Sequence, residues 1–237
     1  MTITAKVAVV NLSGNTGKTT ATKNVVAPRL ANLLSVVHIE SINSTGDAND
    51  LKLASKDLRD LNVQLSAMDD AESIVVDFGA SNIEDVFDRI ASSLGTIVSD
   101  IDLWVIPTVA EKKVKVDTVQ TVKDLLNIGV QPSKIAIVAN KVTESNIEDE
   151  FASVIREAGA LGVRFLKSYI PLAEVIELSS KTIPALAADE TDFKAEIKKL
   201  DRNDPRRGEL AMARVNTGSA RQLNRIFDAV FTELFQK

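Results

Sequence analysis

A polar loop near the start of the sequence contains the residue types that phosphate binding requires. Residues 9–20, "VVNLSGNTGKTT", begin as an apolar run, which is followed by small polar residues and two glycines of the kind found in turns. Glycines let a backbone approach a ligand closely, and the N–H groups at the start of a following helix attract an anion. Lys18 could bind the outer phosphates, and the Thr19 hydroxyl could bind Mg²⁺. The pattern predicts a nucleotide site at Gly14, Asn15, Thr16, Gly17, Lys18, Thr19 and Thr20.

The elements that must position this loop alternate between strands and helices. Six runs rich in Val and Ile predict strands at 6–12, 35–40, 73–79, 103–108, 134–142 and 163–171. They are apolar nearly throughout, which is typical of strands covered on both faces. With helices between them, the sequence predicts an α/β fold with a doubly wound, mostly parallel sheet flanked by helices.

Three helices of this region have boundaries that the sequence predicts. The loop leads into a helix over residues 18–34, which Pro28 should bend or end early. A second helix, over 83–94, should begin at a capping box formed by Ser81 and Glu84. A third follows the run at 103–108 and should end at Gly129.

The last fifty residues contain no predicted strand. A charged helix over 190–200 and a polar break at 201–209 precede a helix over 219–237. This last helix has an apolar stripe at helical spacing, formed by Leu223, Ile226, Phe227, Val230, Phe231 and Leu234. We therefore expect a nucleotide-binding domain at 1–188 and a helical extension at 189–237 packed on it. The alternative is that the stripe binds a partner or a second copy of the chain.

Composition excludes several classes of site. The 237-residue chain has no cysteine, so it has neither disulfides nor thiolate metal sites, as expected of a cytoplasmic protein. Its one histidine, His38, lies in an apolar run, which favours a hydrogen-bonded strand residue over a metal ligand. No segment is apolar enough to predict a signal peptide or a membrane span. The formal net charge of −5 requires any nucleic-acid contact to come from a local basic patch.

The loop resembles that of a known family. Asn11, Gly14, Gly17 and the run Lys18, Thr19, Thr20 match the phosphate loop of the ParA/MinD superfamily of P-loop ATPases, and the resemblance extends to about residue 190. It implies a P-loop NTPase fold, with ATP or ADP and Mg²⁺ as ligands.

The resemblance also implies roles for three residues further along the chain. Asp77, in "SIVVDFGAS", would orient the water shell of a Mg²⁺ ion held by Thr19. Asn140, in "IAIVANKV", would bind the edge of adenine, and Pro171 would close over the base. Thr143 stands where the guanine-reading N-K-x-D pattern has an aspartate, which favours ATP over GTP.

Two departures from the family pattern concern hydrolysis. Ser13 replaces the family's signature lysine, and Ile42 replaces the switch I aspartate that positions the attacking water. Glu40, Asn43 and Asp47 are candidates to position the water, and Lys112 or Lys113 could supply positive charge. We expect slow Mg²⁺-dependent hydrolysis that uses Lys18, Glu40 and Asp77, in a switch that ATP orders at 40–47 and 77–82.

The resemblance and the C-terminal segment together predict the partners. Short matches resemble the StbB-type plasmid-stability ATPases, which implies a role in plasmid stability, segregation or conjugative transfer. The expected partners are a second copy of the chain, in a homodimer, and either a DNA-binding adaptor protein or non-specific DNA. The candidate DNA contacts are Arg206, Arg207, Arg214, Arg221 and Arg225, although a solvated basic face would have the same pattern. Two functional alternatives remain: a small-molecule kinase or ATP-dependent synthetase, and an interaction module that no longer binds nucleotide.

Overall fold

The fold is built on a parallel sheet with helices on both faces. The computed structural model describes residues 3–40, 51–54, 58–93, 95–143 and 146–236. The strands are β1 (Lys6–Val9), β2 (Leu33–Glu40), β3 (Leu51–Ala54), β4 (Ser73–Phe78), β5 (Leu103–Thr108), β6 (Ile135–Val142), β7 (Arg164–Phe165) and β8 (Ile170–Pro171). They lie in the order β3-β2-β4-β1-β5-β6-β7, with β8 paired to β6, and every pairing among these strands is parallel.

The helices connect these strands and form the two outer layers. They are α1 (Lys18–Thr20), α2 (Leu58–Ala67), α3 (Ile83–Ser93), α4 (Thr96–Asp100), α5 (Lys112–Asn127), α6 (Ile147–Glu150), α7 (Ala152–Ala160), α8 (Glu174–Leu178), α9 (Ile183–Ala187), α10 (Phe193–Lys198) and α11 (Arg206–Leu234). In the described ranges, no helix combines the length and apolar content that crossing a bilayer requires.

The central strand shows why the strand sequences are apolar throughout. In β1 and the residue after it, Val7 and Val9 face one buried cluster while Ala8 and Val10 face the other. Successive side chains of a strand point to opposite faces, and helices cover both faces here. This is the doubly wound parallel fold that the sequence predicted.

Several predicted boundaries are wrong. β3 was not predicted, and it is a four-residue strand at the edge of the sheet that contains Lys52. Residues 163–171 form two short strands instead of one. Helix α3 follows a 3₁₀ turn at Ala80–Asn82 whose N-cap is Gly79, so Ser81 lies inside that turn and does not cap it. Helix α5 ends as predicted, with Gly129 in the left-handed region just beyond it.

The helix that leaves the loop ends five residues earlier than predicted. It continues from α1 as a π-helix at Ala21–Val26 and a 3₁₀ turn at Ala27–Arg29, and Leu33 already belongs to β2. Pro28 has no N–H to donate to the carbonyl four residues before it. The Arg29 guanidinium instead donates to that carbonyl, Asn24 O, at 2.6 Å. Pro28 therefore ends the helix early, as expected.

The C-terminal segment forms a helix longer than predicted. α11 spans 29 residues, because the predicted polar break becomes helical at Arg206, directly after Pro205. The stripe packs against the sheet: Leu223, Phe227, Val230, Phe231 and Leu234 belong to the same buried cluster as Val7 and Val9, and Ile226 packs against that cluster. The domain boundary at 188 stays a prediction.

Candidate functional site

The phosphate loop lies at the point in the sheet where the strand order reverses. β1 is flanked by β4 on one side and β5 on the other, and the loop leaves its carboxyl end. In open parallel sheets, ligands bind at such switch points, outside the carboxyl ends of the strands. In the β1–β4 register Val9 is paired with Asp77, which brings that aspartate to the start of the loop.

A buried asparagine anchors the first part of the loop. Asn11 Nδ2 donates to Pro107 O at 2.9 Å and to Thr118 Oγ1 at 3.0 Å, while Asn11 Oδ1 accepts the Ser13 N–H at 2.8 Å. A buried amide whose nitrogen and oxygen are both hydrogen-bonded fixes its neighbours strongly, because breaking these hydrogen bonds would leave buried polar groups unsatisfied. The loop is therefore tied to β5 and α5 without a ligand.

A second asparagine anchors the other end of the loop. Gly17 is the N-cap of α1 in the left-handed region (φ 85°), and Asn140 Nδ2 donates to Thr16 O at 2.8 Å. A Cβ atom added at Gly17 would lie 1.8 Å from Asn140 Nδ2, so this close approach requires a glycine. Asn15 also lies in the left-handed region, with φ 56°, which asparagine adopts more readily than most residues.

The loop presents groups suited to an anion. Within the described part of the chain, the N–H groups of Gly14, Asn15, Thr16 and Gly17 donate no hydrogen bond. Lys18 Nζ lies under the loop and donates to Ser13 O at 2.8 Å and Asn11 O at 3.2 Å. Consecutive N–H groups at a helix N-terminus, next to an ammonium group, form the usual cradle for phosphate oxygens.

A carboxylate and an imidazole lie on the other side of the loop. Thr19 Oγ1 is 3.4 Å from Asp77 Oδ2, and His38 Nδ1 is 3.3 Å from the same oxygen. His38 is thus a buried strand residue in polar contact with a carboxylate. Among the residues that the structure describes, no group of three or more His, Cys, Asp or Glu side chains could hold a metal by itself. A hydroxyl with one carboxylate instead fits a Mg²⁺ ion that keeps most of its waters and also binds phosphate.

The loop and the predicted base-binding residues line one cavity of about 320 Å³. Its lining comprises Asn15, Thr16, Gly17, Lys18, Thr19 and Thr20 from the loop, and Asn140, Lys141, Pro171, Leu172, Ala173, Ile176 and Glu177 from the opposite wall. One wall therefore suits phosphates, and the other is partly apolar, as a planar base requires. Asn140 Oδ1 accepts no hydrogen bond from the described residues and could accept one from an amino group of a base.

Ser13, which stands where the family has its signature lysine, belongs to a charged network on α5. Its hydroxyl donates a short hydrogen bond to Asp117 Oδ2, and Lys113 Nζ contacts the same oxygen at 2.6 Å. The Lys113 ammonium and then the Ser13 hydroxyl hold the pKa of Asp117 below its usual value. The Lys113 charge is thus neutralised locally, and its side chain is 81% exposed.

Some predicted site residues lie at or beyond the limits of the described structure. Glu40 is the last residue of β2, where it is paired with Ala54. Ile42, Asn43 and Asp47 lie outside the described residues, as does most of the predicted switch at 40–47. The roles given to Glu40, Asp77, Asn140 and Pro171 stay predictions.

The predicted basic patch is largely occupied by contacts within the chain. Arg206 pairs with Asp204 at 2.6 Å, and Arg207 donates to Ile197 O in α10 and to Leu200 O just beyond it. Arg221 donates to Ala187 O, at the end of α9, and to Asp189 O just after it. Only Arg214 and Arg225 of the five are exposed with no partner in the described ranges.

Sequence reasoning missed the residues that support the site. The loop is bonded to Asp117 and Thr118, and Asp77 is in contact with His38. None of these three supporting residues belongs to a motif. One signal was present for His38: it lies two residues before the end of its predicted strand, as Asp77 does in the neighbouring one. Parallel register places the two side by side.

Comparison with known proteins supports the fold. No protein-family model matches the sequence, and the search of curated proteins found no significant relative. Among solved structures, a McdA variant from Cyanothece in complex with ATP matches with a TM-score of 0.56 at 11% identity, covering 100% of this chain and 98% of that one. Apo McdA (TM-score 0.48, 13% identity, 74% and 88% covered) and MinD of Aquifex aeolicus (0.48, 11%, 73% and 84%) match less well. The chain has the fold of the first structure, a P-loop NTPase fold.

Proposed function

We propose that this protein binds ATP with Mg²⁺ and acts as a switch of the ParA/MinD type, with slow ATP hydrolysis. The observation that carries the proposal is the single cavity that joins the anion-binding loop to a partly apolar wall containing Asn140 and Pro171. The free N–H groups of the loop and the buried Lys18 ammonium would bind the phosphates. Thr19 and Asp77 would hold Mg²⁺, which neutralises the phosphate charge. The structural likeness to an ATP complex agrees with this proposal.

In this proposal the chain's own residues position the nucleotide. Lys18 moves from the loop carbonyls to the outer phosphates, so one set of contacts replaces another at a buried amine. Asn140 Oδ1 accepts from the adenine amino group while its Nδ2 keeps the bond to Thr16 O. With serine at position 13 and isoleucine at 42, hydrolysis lacks two groups that the family pattern would supply. We therefore expect nucleotide binding to be much more evident than turnover.

Nucleotide titration tests the proposal. We expect the intact protein to bind ATP and ADP at sub-millimolar concentration, more tightly with Mg²⁺ than with EDTA. Lys18→Ala should abolish this binding, whereas the matched control Lys123→Ala, an exposed lysine on α5, should not change it. If the two variants behave alike, Lys18 does not bind the phosphates and the proposed site is wrong. If the intact protein shows no affinity, the proposal is wrong and the chain is better described as an interaction module that no longer binds nucleotide.

We further propose that the switch serves plasmid stability, segregation or transfer, through a homodimer and through DNA contact, direct or through an adaptor. The support is the sequence resemblance together with Arg214 and Arg225, which lie on one face of α11 because eleven residues make about three helical turns. The double variant Arg214→Ala/Arg225→Ala should lose salt-sensitive DNA binding. The matched control, Arg156→Ala, changes an arginine of α7 that is 77% exposed. If the intact protein binds no DNA at low salt, direct DNA binding is excluded.

A further inference from the structure

The chain's only histidine is placed against the predicted Mg²⁺-orienting aspartate. His38 and Asp77 are directly paired in the β2–β4 register, on neighbouring central strands. Their side chains are 9% and 5% exposed, and His38 Nδ1 lies 3.3 Å from Asp77 Oδ2. Both side chains are therefore almost completely removed from water at this contact.

The distribution of contacts on the carboxylate is uneven. Oδ2 of Asp77 is contacted by His38 and, at 3.4 Å, by Thr19 Oγ1. Oδ1 accepts no hydrogen bond from the described residues. A buried carboxylate needs more hydrogen-bond donors than these two contacts provide, because an ionised group that is removed from water loses its hydration. The carboxylate is therefore held at one oxygen and left available at the other.

We propose that His38 is a positioning residue for Asp77: its imidazole holds Oδ2 so that the carboxylate faces the Mg²⁺–nucleotide site in one orientation. The inference rests on the proposed Mg²⁺–nucleotide binding and adds a residue that neither the loop pattern nor the family resemblance assigns. Partners that orient a metal-directed carboxylate typically change metal affinity by about 10- to 100-fold when removed. Without the imidazole, the Asp77 carboxylate would turn toward Thr19 and accept a hydrogen bond from its hydroxyl. The hydroxyl would then be less available to Mg²⁺.

Two substitutions separate orientation from packing. His38→Asn keeps a nitrogen donor on the γ-carbon, close to the position of imidazole Nδ1. His38→Leu fills a similar volume but has no donor. Folding of each variant is checked by urea unfolding, followed through the fluorescence of Trp104, which is buried and stacked on Phe78, the residue after Asp77.

The measurement is the Mg²⁺ concentration that gives half of the Mg²⁺-dependent gain in ADP affinity, compared with ADP affinity in EDTA. We expect His38→Leu to raise that concentration by about 10- to 100-fold and His38→Asn to stay within about 3-fold of the parent protein. ADP affinity in EDTA should be the same in all three proteins. An unchanged Mg²⁺ requirement in His38→Leu overturns the inference, as does an equal loss in both variants. Absence of nucleotide binding by the parent protein overturns the proposed function and this inference together.

Discussion

Gly17 is the position where one methyl group should do most damage to the site. In Gly17→Ala the new Cβ would lie 1.8 Å from Asn140 Nδ2, and alanine would have to adopt a φ of 85°. The left-handed conformation costs an alanine about 1–2 kcal/mol. Asn140 must also move, which leaves the buried Thr16 carbonyl without its donor and costs about 1–3 kcal/mol more. We expect a total loss of about 2–5 kcal/mol in the free energy of unfolding.

The chain contains a matched control for the backbone component. Gly129 also lies in the left-handed region (φ 98°), but a Cβ added there would meet no atom within 4 Å. Gly129→Ala should therefore cost only about 1–2 kcal/mol. The difference between the two variants measures the cost of displacing Asn140.

A double-mutant cycle tests the same reasoning. In Asn140→Ala the Thr16 bond is already lost and the obstructing amide is gone, so adding Gly17→Ala should cost only the backbone component. The two changes should then be less than additive by about 1–3 kcal/mol. Unfolding in urea can be followed by the fluorescence of Trp104, the only tryptophan. Full additivity, or a Gly17→Ala variant as stable as Gly129→Ala, would refute the reasoning.

Three further predictions concern Gly14, Asp117 and Arg29. Gly14→Ala should leave unfolding unchanged within about 0.5 kcal/mol, because its Cβ meets nothing, but should weaken nucleotide binding by crowding the phosphates; unweakened binding in a titration would place the phosphates elsewhere. Since the folded-state pKa of Asp117 is lowered, the ionised carboxylate stabilises the folded protein above the unfolded pKa of about 3.9, and this stabilisation is lost as pH falls below that value. Asp117→Asn should remove this part of the loss of stability in acid, measured as urea midpoints from pH 3 to 7. Arg29→Ala should lower the free energy of unfolding by about 1.5–3 kcal/mol, because Asn24 O, Asn224 and Asp228 lose a charged donor. Arg156→Ala, which removes an exposed arginine, should have almost no effect on the same unfolding curve.

Much of the fold was predictable because its signals are local. Apolar runs identify the central strands, and Pro28 identifies the end of the first helix. β3 escaped prediction because four residues at an edge, one of them Lys52, have no distinctive pattern. The helical start at Arg206 was missed because Pro205 suggested a break, although proline is tolerated where a helix begins.

Sequence motifs identified residues of the candidate site but not the contacts between them. The loop and the opposite wall, which the family resemblance assigned to the nucleotide, line one cavity. The bond from Asn140 to Thr16, 124 residues away, depends on how two strands are spaced in the sheet, and no sequence pattern encodes that distance. The same holds for Ser13 and Asp117, which meet only because α5 packs beside the loop.

The anchors of the loop indicate which side of the site should respond to nucleotide. Asn11 and Asn140 tie the loop to β5, α5 and β6 with hydrogen bonds of 2.8–3.0 Å, whereas the contact of Thr19 with Asp77 of β4 is longer, at 3.4 Å. A Mg²⁺–nucleotide complex that engages Thr19 would replace the weakest of these contacts and leave the others intact. We therefore expect amide hydrogen exchange to slow at 79–83, after β4, when ATP and Mg²⁺ bind, and to change little at 138–142 in β6. Equal protection of both segments would mean that the loop moves as a whole, and the anchoring argument would be wrong.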